Sequence, residues 1–226
     1  DGGTIRQLTY HQAFDRVDSW SWDSQQIHFT SNRENRFTAF KVSLEGGTPR
    51  RMFGNYFNTV HDVVEHPNSG ELFFNETWES QRFASRKGYR GAYSPDIKSY
   101  NPETEEFKQY TDLDGKEMWT TIDRNANVYF VSTEANGEYN LYQLESDGNR
   151  KQLTDYTSSV MHPQVSADGE KIVFVKDYQL HTFTPGSGTT EKLSFSLPRN
   201  LTLDKAQDFD VKDKISAFHV SGDNKK

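Results

Sequence analysis

The 226-residue chain has no cysteine, which excludes disulfides, thiolate nucleophiles and thiolate metal sites without identifying a compartment. It lacks any apolar run near the roughly 18 residues from which a spanning helix is built, so no membrane insertion is expected. Positive charge is in short supply: 26 Lys and Arg stand against 33 Asp and Glu, a formal net charge of −7. A broad nucleic-acid footprint needs the opposite balance, and that partner class is set aside. Signatures of nucleophilic catalysis are missing too: there is no Gly-x-Ser-x-Gly elbow, and no Ser lies three residues before a Lys. No long amphipathic helix and no signal peptide can be read from the sequence.

What the chain does have is repetition. Val165-Ser166-Ala167-Asp168-Gly169-Glu170-Lys171-Ile172-Val173-Phe174 reads as a strand end, a tight Asp-Gly turn and an alternating strand. Trp20-Ser21-Trp22-Asp23-Ser24-Gln25-Gln26-Ile27-His28-Phe29 repeats it in the same register. Looser copies run from Thr121 to Phe130 and, with one extra residue, from Glu65 to Phe74; a fifth begins at Val220. A second phrase alternates with the first, and its apolar residue falls at Leu8, Met52, Tyr110, Leu153 and Leu193, in steps of 44, 58, 43 and 40. Two phrases sharing one period of about 40–45 residues predict four-stranded antiparallel blades repeated radially, an all-β propeller. A β-sandwich with similar hairpins is the competing reading. Both phrases keep their order throughout, which favours the propeller, and the aromatic content (16 Phe, 11 Tyr, 4 Trp) suits blade-to-blade packing by large flat side chains.

The expected blades are 14–54, 57–112, 117–155 and 158–195, with partial blades at both ends. Residues 2–10 read as an outer strand, and 196–226 as a connection and the first strand of the next blade or propeller. The chain starts at Asp1 and stops within a strand–turn–strand phrase, so it reads as a segment of a longer protein, or one whose ends pair to close a composite blade. The second unit is about a dozen residues too long, with the excess after Phe74.

That excess is the compositional anomaly. Arg82, Arg86, Lys87 and Arg90 stand between Ser80 and Pro95 without an acid, interleaved with Trp78, Phe83, Tyr89 and Tyr93. Arginine and aromatics together are typical of interface cores. Trp78, Arg82, Arg86, Lys87, Tyr89 and Arg90 are therefore candidates for docking a neighbouring domain or a peptide; the competing reading is a loop pinned by its own propeller's acids. His61, Asp62 and His66 are possible metal ligands by type, but strand alternation would set His61 and His66 on opposite faces. Asp112-Leu113-Asp114-Gly115 lacks the later ligands of a calcium loop. Ser187 reads as a turn residue, so no catalytic residue, metal or cofactor is expected. Asn75-Glu76-Thr77 and Asn200-Leu201-Thr202 match the N-glycosylation pattern, which arises often by chance.

The run Trp20 to Arg33 resembles the repeat of TolB and tricorn propellers, W-S-P-D-G-x-x-I-x-F-x-S-x-R. Glu45 to Met52 and Gly148 to Thr154 resemble the G-G-x-x-x-x-L-T phrase that follows it. The long second unit, with Arg90 to Tyr100, resembles an insertion in secreted tricorn-like serine peptidases of Bacteroidetes-type bacteria. Asp208 to Lys226 resembles their passage into the next propeller. Ser24 departs from the turn Gly, and the third unit lacks the Ser-x-Asp-Gly core. The resemblance implies a non-catalytic scaffold that gates peptide access to a catalytic domain following a PDZ-like module, in the periplasm or secreted, with homo-oligomers possible. A TolB-like binding propeller and the propeller of a prolyl-oligopeptidase-type hydrolase are the alternatives.

Overall fold

A computed structural model describes residues 5–54, 58–196, 212–213, 219 and 222. The chain divides into Asp1–Leu193 and Ser194–Lys226. In the second unit no described residue lies in a strand or helix, and the strand expected near its end lies outside the described residues apart from His219 and Gly222.

Among the described residues the first unit holds four antiparallel sheets of four strands each, in chain order. The first is β1 (Asp15–Trp20), β2 (Gln26–Ser31), β3 (Thr38–Ser43) and β4 (Arg50–Arg51). The second is β5 (Val60–Glu65), β6 (Leu72–Glu76), β7 (Lys98–Tyr100) and β8 (Phe107–Gln109), with the five-residue helix α1 (Trp78–Arg82) between β6 and β7. The third is β9 (Glu117–Ile122), β10 (Val128–Ser132), β11 (Asn140–Leu144) and β12 (Arg150–Gln152); the fourth is β13 (Met161–Val165), β14 (Ile172–Lys176), β15 (Gln179–Thr184) and β16 (Thr189–Lys192). First strands pack on first strands, β1 on β5, β5 on β9 and β9 on β13, the arrangement of propeller blades around an axis. The expected outer strand at 2–10 is not formed by residues 5–10.

Aromatics fill the spaces between blades. Phe53, Phe74 and Tyr100 join the first and second; Phe73, Phe130 and Tyr142 the second and third; Trp119, Tyr139 and Phe174 the third and fourth. Buried Asn75 adds a polar link, with its amide nitrogen donating to Glu117 O (3.0 Å) and its oxygen accepting from Trp119 N (2.9 Å). Asn75 is thus unavailable as a sugar acceptor in the folded chain.

The repeated turn has a hydrogen-bond logic. Asp168 Oδ1 accepts from Ser166 Oγ (2.6 Å) and Glu170 N (3.0 Å), while Ser166 Oγ accepts from Lys171 N (3.0 Å). Asp23 and Ser21 repeat this at 2.5, 2.9 and 2.9 Å. In the third blade the turn is one residue shorter. Asp123 takes the serine's place there, accepting from Asn125 N and Asn127 N at 2.9 Å each. In the second blade the strand-to-strand spacing matches the first, and only the left-handed Gly70 comes one position later.

Gly169 (φ +78°) and Ser24 (φ +58°) both occupy the left-handed region, which costs a residue with a Cβ about 1–2 kcal/mol. Ser24→Gly is therefore expected to stabilise the chain by up to about 1 kcal/mol, after allowing for glycine's greater unfolded-state entropy. Urea unfolding checks this, and a lower midpoint for the variant would contradict it.

Candidate functional site

Each inner strand carries a β-bulge against its second strand: between Val17 and Ser19, His61 and Val64, Met118 and Thr121, and Met161 and Gln164. In three of them a non-glycine residue is left-handed, namely Asp62 (φ +54°), Trp119 (φ +54°) and His162 (φ +50°). The extra residue breaks the two-residue alternation, so polar side chains that simple pleating would scatter are re-aimed. This also removes the alternation argument for His61 and His66. The two are separated by environment instead: His61 is buried, whereas His66 stacks on Phe73 outside the strand. Among the described residues no three His, Cys, Asp or Glu side chains are grouped to hold a metal ion.

The bulged strands line an axial cavity of about 280 Å³, whose walls include Arg16, Asp18, Asp62, Trp119, Thr120 and His162. Arg16 is the pivot. Its guanidinium donates to Asp62 Oδ1 at 2.6 Å and lies 3.7 Å from Asp18 Oδ1. Thr30 donates to the other Asp18 oxygen at 2.5 Å. Asp18 Oδ1 itself is buried with no hydrogen-bond partner, and so is Thr120 Oγ1 across the cavity. The rings of Trp119 and His162 lie 4.3 Å apart.

The two aspartates are driven apart. Burial, with the charge of Asp62 beside it, pushes Asp18 up to about 7 against the opposing Thr30 hydrogen bond, Arg16 and the Val63 backbone N–H. Asp62 is also raised by burial, but His61, Arg16 and His162 more than offset this and hold it below the usual carboxylate range. Partial enclosure lowers His162, with Asp62 opposing and Arg16 reinforcing. The axis thus holds a polar cluster in two protonation classes.

Behind the cluster lies a constellation that no linear motif announced. His61 Nδ1 is 2.6 Å from Asp62 Oδ2, and His61 Nε2 is 2.7 Å from Ser80 Oγ on α1. This has the connectivity of a Ser-His-Asp relay. Ser80, however, is buried at 1% exposure and its hydroxyl reaches Glu76 O at 2.9 Å, so substrate has no approach to it. The constellation fastens α1 to β5.

The insertion folds against the third blade. Buried Lys116 lies 2.7 Å from buried Glu79 and donates to Phe83 O (2.9 Å), and Tyr139 donates to Ala84 O (2.7 Å). Of the sequence-derived docking candidates, Arg86, Tyr89 and Arg90 come together around one shallow depression. Arg86 lies over the Phe83 and Tyr89 rings at 5.3 and 5.2 Å and 3.8 Å from Glu79; Arg90 donates to Lys87 O and Tyr89 O. Lys87 pairs with Glu138. Arg82 is exposed at the end of α1. Trp78, 47% exposed, turns instead to Tyr93 (5.5 Å) on the rim of a separate cavity of about 700 Å³. Ser187 bonds Thr189 within its turn.

Asp18 predicts a pH dependence of known sign. Its folded-state pKa lies above the unfolded value of 3.8, so its stabilising contribution is complete below that value and is lost as pH rises through about 7. Asp62, shifted the other way, changes its contribution only in acid below that window. Asp18→Asn should therefore gain stability relative to the parent chain between pH 5 and 8, by on the order of 2 kcal/mol. Parallel chemical denaturation at the two pH values measures it, and a pH-independent difference would refute the assignment.

Comparison with known proteins agrees with this architecture. The family described as the tricorn protease N-terminal beta propeller domain matches residues 1–189. A tricorn protease homolog of Saccharolobus solfataricus is 25% identical over 98% of this chain, which spans only 20% of that relative's length. Among solved structures, TolB from Acinetobacter baumannii superposes with a TM-score of 0.71 (18% identity, 86% of this chain, 47% of TolB). A tricorn protease superposes with 0.65 (18% identity, 82% and 18%), and a puromycin hydrolase with 0.56 (15% identity, 83% and 30%). The chain belongs to the tricorn protease N-terminal beta propeller domain family.

Proposed function

We propose that this segment is the non-catalytic propeller of a tricorn-like serine peptidase, a scaffold and gate for peptide access to a catalytic domain elsewhere in the parent protein. The observation that carries this reading is the axial cavity, walled by four inner strands and lined by charged and aromatic side chains. A cavity of about 280 Å³ admits a side chain or a chain end and excludes a folded domain. The gate needs no chemistry of its own, in keeping with the burial of the Ser80 hydroxyl. The partners proposed are the catalytic and PDZ-like domains of the same protein and the peptide substrate. The proposed location is the periplasm or the exterior, as for the exported peptidases this sequence resembles; among the described residues no helix is long and apolar enough to cross a membrane.

A second reading, a TolB-like protein-binding propeller without an enzyme, is favoured by the superposition on TolB over 86% of the chain. The two readings differ in what the propeller admits: a gate takes unfolded peptide at its axis, whereas a binding scaffold takes a folded partner on its faces. Incubation with a reduced, unfolded polypeptide should show binding without cleavage, and a fluorophosphonate reagent should leave Ser80 unlabelled. Cleavage above background, or no binding of unfolded chains, would overturn the gate.

The insertion is the proposed contact to the neighbouring domain, through Arg82, Arg86, Lys87, Arg90, Trp78 and Tyr89. Reversing Arg82, Arg86 and Arg90 to Glu should weaken that contact by about tenfold or more while leaving the fold intact, since charged rim contacts act mainly on association. Unchanged binding by a folded triple variant, measured by titration with the neighbouring domain, would remove the insertion from the interface.

A further inference from the structure

The axial cavity has a charge imbalance and two orphaned polar atoms, and both point to the same ligand. Its lining carries two carboxylates, Asp18 and Asp62, but one permanent cation, Arg16, which is spent on Asp62 at 2.6 Å. Asp18 has a side chain with 0% exposure, and its Oδ1 makes no hydrogen bond of normal length, the Val63 backbone acting on the carboxyl only weakly. Thr120 lines the same cavity, and its buried Oγ1 is equally unpartnered. An unsatisfied buried acceptor is costly, and natural structures retain one mainly where a ligand, ion or water completes it. The missing group must bring positive charge and several N–H donors and be slender enough for a space of about 280 Å³. A metal ion is disfavoured: although His162 lines the same cavity, no three His, Cys, Asp or Glu side chains among the described residues are placed to hold one. Trp119 supplies an aromatic ring at the same place, and an aromatic face attracts cations.

We propose that the axial cavity binds a single primary alkylammonium group, with Asp18 as its counter-charge, Thr120 as a second acceptor and Trp119 as an aromatic wall. Arg16, whose side chain is 34% exposed, is the movable cover: its 3.7 Å contact with Asp18 gives way while its 2.6 Å contact with Asp62 stays. A peptide offers such a group in two places, the α-ammonium at its N-terminus and the ε-ammonium of lysine. The proposal rests on the peptide-gate reading for the source of the amine, and it deepens that reading by naming what the axis recognises. Occupation ionises Asp18, so binding should strengthen as pH rises from 5 to 7, below the range of about 7.7–8.0 in which an α-ammonium itself loses its proton. The groups that titrate or carry charge around Asp18 are Arg16 on its own strand, His61 and Asp62 on β5, and His162 on β13; β9 contributes the uncharged Trp119, Thr120 and Thr121.

The test is calorimetric titration of the chain at pH 7 with three small probes: triglycine amide, its N-acetylated form, and N-acetyl-lysine amide. At least one of the two free amines should bind and the acetylated triglycine should not; which amine binds identifies the source. Asp18→Asn should weaken binding about tenfold or more, the loss expected when a charged hydrogen-bond partner is removed. Should that variant fail to fold, Thr120→Val serves in its place, with a smaller but measurable weakening expected. Equal binding of free and acetylated triglycine, no binding of either amine, or an unchanged affinity in folded Asp18→Asn would overturn the proposal. A fully acetylated unfolded polypeptide that still binds would sink the ammonium site while leaving the peptide gate standing.

Discussion

The constraint on which the rest of this structure depends is the extra residue in each inner strand. A regular strand presents every second side chain to the axis; a bulged one breaks that rule at one point and changes its aim. Here the break falls in all four blades and brings Arg16, Asp18, Asp62, Trp119 and His162 to a common cavity. Backbone strain accompanies it, since Asp62, Trp119 and His162 are left-handed. Residues held in such conformations cost on the order of 1–3 kcal/mol each and persist only where the surroundings over-determine them. In this chain the surroundings are the aromatic seams between blades and the buried Asn75 bridge.

The insertion depends on the same inner frame. Ser80 reaches His61, His61 reaches Asp62, and Asp62 meets Arg16, so a continuous chain of hydrogen bonds runs from α1 to the axis. Lys116 and Glu79, both fully buried, tie the insertion to the third blade. A buried ion pair of this kind adds little net stability, yet removing one partner is strongly destabilising. Its physical role is placement: it fixes where the arginine-bearing loop stands relative to the blades.

The blade pattern could be read from the sequence because its turns are chemical. Ser166, Asp168 and Gly169 each satisfy a specific hydrogen bond or backbone angle, and Ser21 and Asp23 repeat the same solution. The third copy is offset by one residue at its start, because Asp123 takes over the serine's role in a shorter turn. The axial cluster was invisible for a different reason. Asp18, Asp62 and His162 are ordinary polar residues in strands that alternate, and only the register shift shows that they converge. The relay through Ser80 joins residues 61 and 80 across an insertion whose helix, at five residues, is too short to leave a periodic signal. The arginines of that insertion stood out by composition, whereas Glu79 and Glu138, which Arg86 and Lys87 approach, lie outside the acid-free stretch.

Burial beside a second carboxylate leaves Asp18 half-ionised near neutrality on the inner strand of the first blade. Carbon-13 NMR of the Asp18 carboxyl, followed from pH 4 to pH 9, reads this directly. A titration centred at about 7 is expected. A midpoint in the ordinary aspartate range, about 4, would contradict it.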